Sequence, residues 1–193
     1  NTPPDVQIIA PANQSVIGGV VMIQASASDL HLDTLWIEIN GSFVCSTSTN
    51  SLSYSWDTTK MTDAIYEIKA FANDTVGNQN YTRIFVTIDN TPPSVEISQP
   101  QNNSVVGGIV IIEAAASDLH LDKLCVEING TIEASSSTGS IVYSWNTTEE
   151  LDGCYEIKAI ANDTVGNTAT YRIYCIVDNT PPTVSISGLE NNS

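Results

Sequence analysis

Apolar and polar residues alternate with a period of two along most of this chain. In the segment 20–28, for example, the apolar side consists of Val21, Ile23, Ala25 and Ala27. Successive side chains of a strand point to opposite faces, so this alternation predicts strands with one buried face. No apolar stripe with a helical period is longer than two turns. We therefore predict an all-β fold.

The alternation divides the first 89 residues into about seven short strands. One of them carries Leu35, Ile37 and Ile39 on its inner face and ends at Asn40-Gly41. This dipeptide favours a two-residue type I′ hairpin, because both residues tolerate positive φ. Short strands joined by turns every 8 to 12 residues or so are typical of a Greek-key β-sandwich.

The sequence repeats itself after 89 residues. Residues 1–89 align without a gap on residues 90–178, and 52 of the 89 positions are identical. The phrase Asn-Thr-Pro-Pro opens both copies and opens residues 179–193 as well. We predict two tandem domains, 1–89 and 90–178, followed in 179–193 by the first strand of an incomplete third repeat. We expect the segment to belong to a longer protein.

Several short motifs recur in both copies. In the first copy they are Thr2-Pro3-Pro4, Gly18-Gly19, Ala27-Ser28-Asp29, Trp56-Asp57-Thr58-Thr59 and the segment from Tyr66 to Asn78. Over the whole chain this pattern resembles the prokaryotic Ig-like repeats of cell-surface and S-layer proteins. The resemblance implies tandem Ig-like sandwiches outside the cell that form rods, stalks, adhesin shafts, surface lattices or spacers beside catalytic domains. The Cys-Trp-Cys pattern of antibody domains is absent.

The charge of the chain narrows the choice of partners. With 22 acidic and 6 basic residues, the net charge is −16. Such a chain is repelled by nucleic acid and by anionic membrane surfaces, so we expect neither as a partner. No apolar run approaches the roughly 20 residues that span a bilayer, and no leader opens the chain, so we expect no membrane insertion in what looks like a mature or excised segment.

Motifs of catalysis are missing from the sequence. It contains no Gly-rich phosphate loop, no Gly-x-Ser-x-Gly and no His-Glu-x-x-His. The two histidines, His31 and His120, occupy equivalent loop positions in the two copies and so cannot form one site. Paired loop carboxylates recur in both copies without an aromatic platform beside them, which argues against glycoside cleavage. We predict that the chain is not an enzyme.

Acidic loops suggest a calcium site at the junction of the copies. In a sandwich of this strand order, the loop after the second strand and the loop before the last strand lie at the same end as the N-terminus of the domain. The oxygen ligands predicted there, of the kind that Ca²⁺ prefers, are Asp89, Asn90, Asp118, Asp122, Asn162 and Asp163. Their counterparts at the other two junctions are Asp29, Asp33, Asn73 and Asp74, and Asp178 and Asn179. The alternative is that these residues only cap turns.

Sequons for N-glycosylation are frequent in the chain. The nine acceptors are Asn13, Asn40, Asn73, Asn80, Asn102, Asn129, Asn146, Asn162 and Asn191. Their number favours a glycosylated protein of the cell surface and, together with the resemblance, an archaeal surface over a bacterial one. The alternative is that a chain rich in Asn, Ser and Thr forms sequons by chance and uses Asn for its turns.

The cysteines are distributed unevenly. Cys45 is alone in the first copy, and the second has Cys125, Cys154 and Cys175 without a metal-binding spacing. Cys125 and Cys154 fall on neighbouring strands, so we consider a disulfide between them, although the first copy has Trp36 and Ile65 at these positions and evidently folds without one. We expect Cys175 to be a small buried residue and Cys45 to be unpaired.

Two classes of function agree with these observations. The first is a structural segment of a cell-surface protein, a rod, filament or surface-layer component whose partners are other copies of itself or neighbouring repeats. The second is an adhesin module that binds glycan or protein, or a spacer attached to an enzyme. A stripe of Trp36, Phe71 and Phe85, which the second copy lacks, would be its binding surface for cell-surface glycans. The near identity of the copies favours the first class.

Overall fold

The computed structural model describes residues 2–185 and 187. Packing divides the chain into two compact units, and the main segment of the first ends at Thr91 where that of the second begins at Pro92. The first unit thus extends two residues past Asp89, because Asn90 and Thr91 are hydrogen-bonded to the end of the first sandwich. We call the two units the first and the second repeat.

Each repeat is built from strands, eight in each within the described part of the chain. In the first they are β1 (Asp5–Ala10), β2 (Val16–Ile17), β3 (Val20–Ser28), β4 (Leu32–Ile39), β5 (Ser42–Thr47), β6 (Ser51–Asp57), β7 (Ile65–Asp74) and β8 (Gln79–Ile88). In the second they are β9 (Ser94–Gln99), β10 (Ser104–Val106), β11 (Ile109–Ser117), β12 (Leu121–Ile128), β13 (Thr131–Ser136), β14 (Ser140–Asn146), β15 (Gly153–Asp163) and β16 (Thr168–Val177). A short 3₁₀ turn, Thr147–Glu149, follows β14.

The strands of each repeat form two sheets. In the first repeat one sheet has the order β1-β3-β6 and the other the order β2-β8-β7-β4-β5, and the second repeat has the corresponding orders β9-β11-β14 and β10-β16-β15-β12-β13. All pairs are antiparallel except β2 with β8 and β10 with β16, which are parallel. The prediction of all-β sandwiches is confirmed. The short strand β2 brings the predicted seven strands to eight.

The core of each repeat lies between its two sheets. The residues with no exposed surface in the first repeat include Ile23, Leu35, Ile37 and Ile68, and in the second Ile112, Leu124, Val126 and Ile157. All of them follow the predicted alternation. An aromatic pair also joins the sheets, because Trp56 on β6 meets Tyr66 on β7 edge to face at 5.6 Å.

The turns explain several residues that the alternation does not. Asn40 and Gly41 both have positive φ, 48° and 76°, as the predicted type I′ hairpin requires, and Asn129 and Gly130 repeat this geometry with 48° and 86°.

Residues 179–185 and 187 form no strand, and the rest of the predicted third-repeat strand lies outside the described residues.

Candidate linker-anchoring site

The segment that leaves the first repeat, Asp89-Asn90-Thr91, is bound to the end of that repeat. The amide of Asp89 donates to the carbonyl of Ile17 at 2.9 Å, which extends the pairing of β2 with β8. The carboxylate Oδ1 of Asp89 accepts the amide N–H of Thr91 at 3.2 Å, and the Asp89 side chain is buried. The chain is therefore held for one residue beyond the last strand.

The Gly-Gly motif allows this close approach. A Cβ on Gly18 would lie 2.7 Å from the carbonyl oxygen of Asp89, and a Cβ on Gly107 would lie 3.0 Å from that of Asp178. Gly19 has a φ of +67°, which glycine adopts without strain. The first glycine thus makes room for the departing chain, and the second turns the backbone into β3.

The Trp-Asp-Thr-Thr motif, at the end of β6, lies at the same end of the repeat as the Gly-Gly turn. Thr58 is fully buried, and both its amide and its hydroxyl donate to the carbonyl oxygen of Gly19, at 2.9 and 2.8 Å. Its own carbonyl accepts the amide of Met61 at 2.9 Å. A buried hydroxyl needs a partner, and Thr58 finds one that ties the end of β6 to the Gly-Gly turn.

Asn90 completes the network with three hydrogen bonds. Its Nδ2 donates to the carbonyl oxygens of Thr58 at 2.8 Å and Met61 at 3.2 Å. Its backbone amide donates to Oδ1 of Asp63 at 2.9 Å, and the hydroxyl of Thr91 donates to Oδ2 of the same carboxylate at 2.5 Å. We call Thr58, Asp63, Asp89, Asn90 and Thr91 the first linker anchor.

The second repeat carries an anchor of the same design. Asn179 Nδ2 donates to the carbonyl oxygens of Thr147 at 2.7 Å and Glu150 at 3.2 Å, and its amide donates to Oδ1 of Asp152 at 2.6 Å. The hydroxyl of Thr180 donates to the other oxygen of Asp152. This bond and the Asn179 amide hold the pKa of Asp152 below its ordinary value of 3.8. Asp152 is therefore an ionised acceptor near neutral pH.

The residues predicted to bind calcium are already used in turns. In the first repeat, Oδ1 of Asp74 accepts the amides of Val76 and Asn78 at 3.0 and 2.8 Å, and Oδ2 accepts Asn78 Nδ2 at 2.7 Å. Burial disfavours the charged form of Asp74, but the hydrogen bonds outweigh it, so its pKa is lowered. Asp29 accepts the amide of His31 at 2.7 Å, and Asp33 accepts Asn73 Nδ2 at 3.1 Å. Asp29, Asp33 and Asp74 thus each accept a hydrogen bond within the loops of the first repeat, as the capping alternative expects.

The second repeat shows the same bonds at equivalent positions. Asp118 Oδ1 accepts the amide of His120 at 2.7 Å, and Asp122 Oδ2 accepts Asn162 Nδ2 at 3.0 Å. Asp163 is buried, and Asn162 Nδ2 also lies 3.4 Å from its carbonyl oxygen. These bonds bring Asp122, Asn162 and Asp163 together within one repeat, while Asp89 and Asn90 belong to the first linker anchor. Calcium coordination by the six residues stays a prediction.

The predicted disulfide between Cys125 and Cys154 is wrong. On β15, the partner of Cys125 is Ile160, and Cys154 lies six residues earlier on that strand, opposite Ile176 of β16. Six strand residues span about 20 Å, whereas a disulfide requires Cα atoms within about 7 Å of each other. The two cysteines do lie on neighbouring strands, as predicted, but the register of β12 with β15 keeps them apart. All four cysteines are free thiols, and burial raises the pKa of Cys175.

An aromatic row crosses the outer face of the larger sheet in the first repeat. Trp36 and Phe71 stack at 5.0 Å with nearly parallel rings, and Phe71 contacts Tyr81 at 5.3 Å. The prediction that Phe85 belongs to this row is wrong. Phe85 lies four residues beyond Tyr81 on β8, where it pairs with Glu67 of β7 and is covered by the Arg83 guanidinium. We call Trp36, Phe71 and Tyr81 the aromatic row. In the second repeat the aligned residues are Cys125, Ile160 and Thr170.

The second repeat contains a cavity of about 410 Å³ that the sequence does not predict. It is lined by Glu133, Glu150, Tyr143 and Tyr155, among others. The tyrosine hydroxyls donate to these carboxylates, Tyr143 to Glu133 at 3.0 Å and Tyr155 to Glu150 at 3.1 Å, so that Glu133 raises the pKa of Tyr143. The two glutamates lie 17 positions apart on different elements, so no short motif reveals them. The carboxylate oxygens of Glu133 and Glu150 are therefore hydrogen-bond acceptors for the two tyrosine hydroxyls.

Comparisons of the sequence identify the family. The model of the bacterial Ig domain matches residues 4–70 and 93–159, which together are more than half of the chain. The model of the bacterial Ig-like domain, group 3, matches residues 139–193. The chain belongs to the bacterial Ig domain family, whose members commonly occur in extracellular or surface proteins and are typically non-catalytic. A search of curated proteins finds no match.

Solved structures support the fold. The fibronectin(III)-like modules of CbhA from Clostridium thermocellum match with a TM-score of 0.53 and 19% identity, over 90% of this chain and 94% of that one. The I-band fragment I67–I69 of titin matches with a TM-score of 0.57 and 12% identity, over 92% of this chain and 66% of that one. At these identities the likeness concerns the fold alone. Among the described residues, no helix has the length and apolar character to cross a membrane.

The linker anchor predicts the effect of replacing Asn90 by Ala. This change removes two hydrogen bonds, to the carbonyls of Thr58 and Met61, and should lower the free energy of unfolding of the first repeat by about 1 to 3 kcal/mol. Urea unfolding measures the difference. Asn50→Ala is the matched control, because the exposed side chain of Asn50 makes no hydrogen bond to a described residue, and it should change stability by less than about 0.5 kcal/mol. Equal losses in the two variants would contradict the anchor.

Proposed function

We propose that this chain is a structural, extracellular repeat segment, a rod, filament or surface-layer component, of a glycosylated prokaryotic cell-surface protein. The observation that supports this function best is the linker anchor, which both repeats build from the same atoms although 37 of their 89 positions differ. A segment that transmits force or sets spacing needs each domain to fix the direction in which the chain leaves it.

The distribution of identities between the repeats points the same way. The anchor residues Thr58, Asp63 and Asp89 recur as Thr147, Asp152 and Asp178, whereas the aromatic row does not recur. An array with regular spacing requires that the ends of all its repeats be alike. A surface that recognises a ligand, by contrast, usually differs from the same surface on the neighbouring repeat. The anchor, which serves repetition, is therefore kept in both copies, and the aromatic row is not.

Location and partners follow from the family and the charge. Bacterial Ig-like domains commonly occur in extracellular or surface proteins, and nine sequons in one short segment favour a glycosylated, archaeal surface. The partners that we propose are neighbouring repeats of a longer chain and other copies of it. A net charge of −16 disfavours nucleic acid as a partner.

Electron microscopy of the native surface material that contains this chain tests the structural role. We expect filaments or a lattice with a spacing of about 40 Å per repeat, the length of a sandwich with strands of this size. Flexible strings that end in a larger head would contradict an assembly role and would make the repeats a stalk.

Calcium is the ion that we propose for Asp89, Asn90, Asp118, Asp122, Asn162 and Asp163. The supporting argument is their hard oxygen chemistry, since Ca²⁺ prefers carboxylate and amide oxygens. Bound calcium stabilises the folded state by mass action, by about 2.7 kcal/mol at 100 times its Kd. A thermal melt in excess calcium and in chelator should therefore differ by several degrees, with magnesium as the control. Identical melting temperatures would contradict calcium binding.

A second candidate function is binding of a saccharide to the first repeat. The aromatic row favours it, together with an open pocket of about 350 Å³ lined by Trp36, Phe43 and the polar residues Thr34, Ser46, Asn73 and Gln79. Aromatic rings with polar groups beside them suit the apolar faces and the hydroxyls of a sugar. This function would make the segment an adhesin module or a spacer attached to an enzyme.

Replacement of Trp36 by Ala tests the second candidate. A glycan-array signal of the wild type should be lost in this variant, because the ring forms the wall of the pocket. Phe85→Ala is the matched control, since Phe85 is an exposed aromatic outside the pocket. A wild type without signal, or a signal that survives Trp36→Ala, would contradict saccharide binding here.

A further inference from the structure

The structure separates the sequon asparagines by which atom of the side-chain amide is bound. Asn13 and Asn102 use the oxygen. Asn13 Oδ1 accepts the amide N–H of Phe85 at 2.9 Å, and Asn102 Oδ1 accepts that of Tyr174 at 2.9 Å. Both side chains are exposed, and neither Nδ2 donates to a described residue. Each amide is thus fixed by its oxygen and directs its nitrogen to solvent.

The hairpin asparagines have the same arrangement. Asn40 Oδ1 accepts the amide of Glu67 at 2.8 Å, and Asn129 Oδ1 accepts that of Glu156 at 2.9 Å. Both residues lie at exposed type I′ turns, and in the described part of the chain their Nδ2 atoms have no acceptor. Two positions in each repeat therefore present an oriented amide nitrogen at intervals of 89 residues.

Asn146 presents its nitrogen through a local turn. Its Oδ1 accepts the amide of Thr148 at 3.2 Å and the hydroxyl of Thr148 at 2.8 Å. Thr148 is the hydroxyl residue of the same sequon, so the acceptor and its recognition residue are held together. Asn146 is exposed, and none of the described residues accepts from its Nδ2.

At the other three described sequons the side-chain nitrogen is bound, and at Asn80 the oxygen is bound as well, because its Oδ1 accepts the amide N–H of Tyr81 at 2.9 Å. Asn73 Nδ2 donates to Oδ2 of Asp33 at 3.1 Å and lies 3.5 Å from the carbonyl of Asp74. Asn162 Nδ2 makes the corresponding contacts at 3.0 and 3.4 Å. Asn80 Nδ2 donates to the carbonyl of Pro4 at 2.9 Å. Asn73 and Asn162 are also half-buried. Asn191 lies outside the described residues.

We propose that Asn13, Asn40, Asn102, Asn129 and Asn146 carry N-linked glycans and that Asn73, Asn80 and Asn162 do not. In the transfer, Nδ2 attacks the anomeric carbon of a saccharide that is activated as a lipid-linked phosphate ester. The C–N bond forms, Nδ2 loses one proton, and the anomeric C–O bond breaks as the phosphate leaves with the electron pair. A glycosyltransferase of the host supplies the donor and catalyses the step. This inference rests on the extracellular location in the proposed function.

The fold tolerates the modification at the first set and resists it most clearly at Asn73 and Asn162. Derivatised Nδ2 leaves Oδ1 free to accept, so the bonds from Phe85, Glu67, Tyr174 and Glu156 survive. At Asn73 and Asn162 both N–H groups of the nitrogen point at acceptors, and one would be lost. A sugar there would also have to occupy the space beside a half-buried strand end.

Glycopeptide mass spectrometry of the protein from its native source tests the assignment. We expect sugar on peptides with Asn13, Asn40, Asn102, Asn129 or Asn146, and unmodified peptides for Asn73, Asn80 and Asn162. Sugar on any of the last three, or on no asparagine, would overturn the inference. Filaments built from unmodified chains would overturn it alone and would leave the structural role intact.

Two hydroxyl substitutions give a matched pair that leaves every asparagine in place. Ser42→Ala removes the sequon of Asn40, and Thr75→Ala removes that of Asn73. Neither hydroxyl is hydrogen-bonded to another described residue. Expressed in the native host, Ser42→Ala should lose the mass of one glycan, and Thr75→Ala should lose none. The opposite result would overturn the inference.

Discussion

The side chain of Asn90 links the chain that leaves the first repeat to the body of that repeat. Its Nδ2 donates to the carbonyl oxygens of Thr58 and Met61, and the backbone N–H of Asn90 donates to the carboxylate of Asp63. Thr58 is itself bound through its hydroxyl to Gly19, so the network reaches from the departing chain to the turn before β3. Without the Asn90 side chain the departing chain would lose two of the hydrogen bonds that hold it to this end of the repeat. Asn179 does the same for the second repeat.

Alternation predicted the fold well because one face of every strand had to be buried. Ile23, Leu35 and Ile68 are fully buried where the period of two placed them, and the turn at Asn40-Gly41 follows from the positive φ that both residues accept. Periodicity does not report register, however. The disulfide between Cys125 and Cys154 failed for this reason, since the two residues are on paired strands but six positions apart along one of them. Periodicity also misplaced Phe85, since the residue of β8 that pairs with Phe71 is Tyr81.

The anchor was only half visible in the sequence. Its motifs recur in both copies, but they give no role to Asp63 and do not show that Asn90 binds the repeat that it leaves. A signal was present, because Asp63 is the only residue of 60–65 that is identical in 149–154. Identity at one position within a divergent loop indicates a specific contact, here with the backbone of Asn90 and the hydroxyl of Thr91. The Asn-x-Ser/Thr pattern itself does not tell which atom of the amide is bound, since Asn40 and Asn73 both carry it and are bound through opposite atoms.

Mechanical unfolding of single molecules tests the central claim, that each repeat is a separate structural unit with its linker fixed to its own end. Stretched between its termini, the chain should resist in two discrete events. Each should release about 270 Å of contour, which is the extended length of one repeat, about 310 Å, less its folded length of about 40 Å. The Asn90→Ala variant should lower the force of one event and leave the other unchanged. Extension without resistance, or one event that releases the whole chain, would contradict the account.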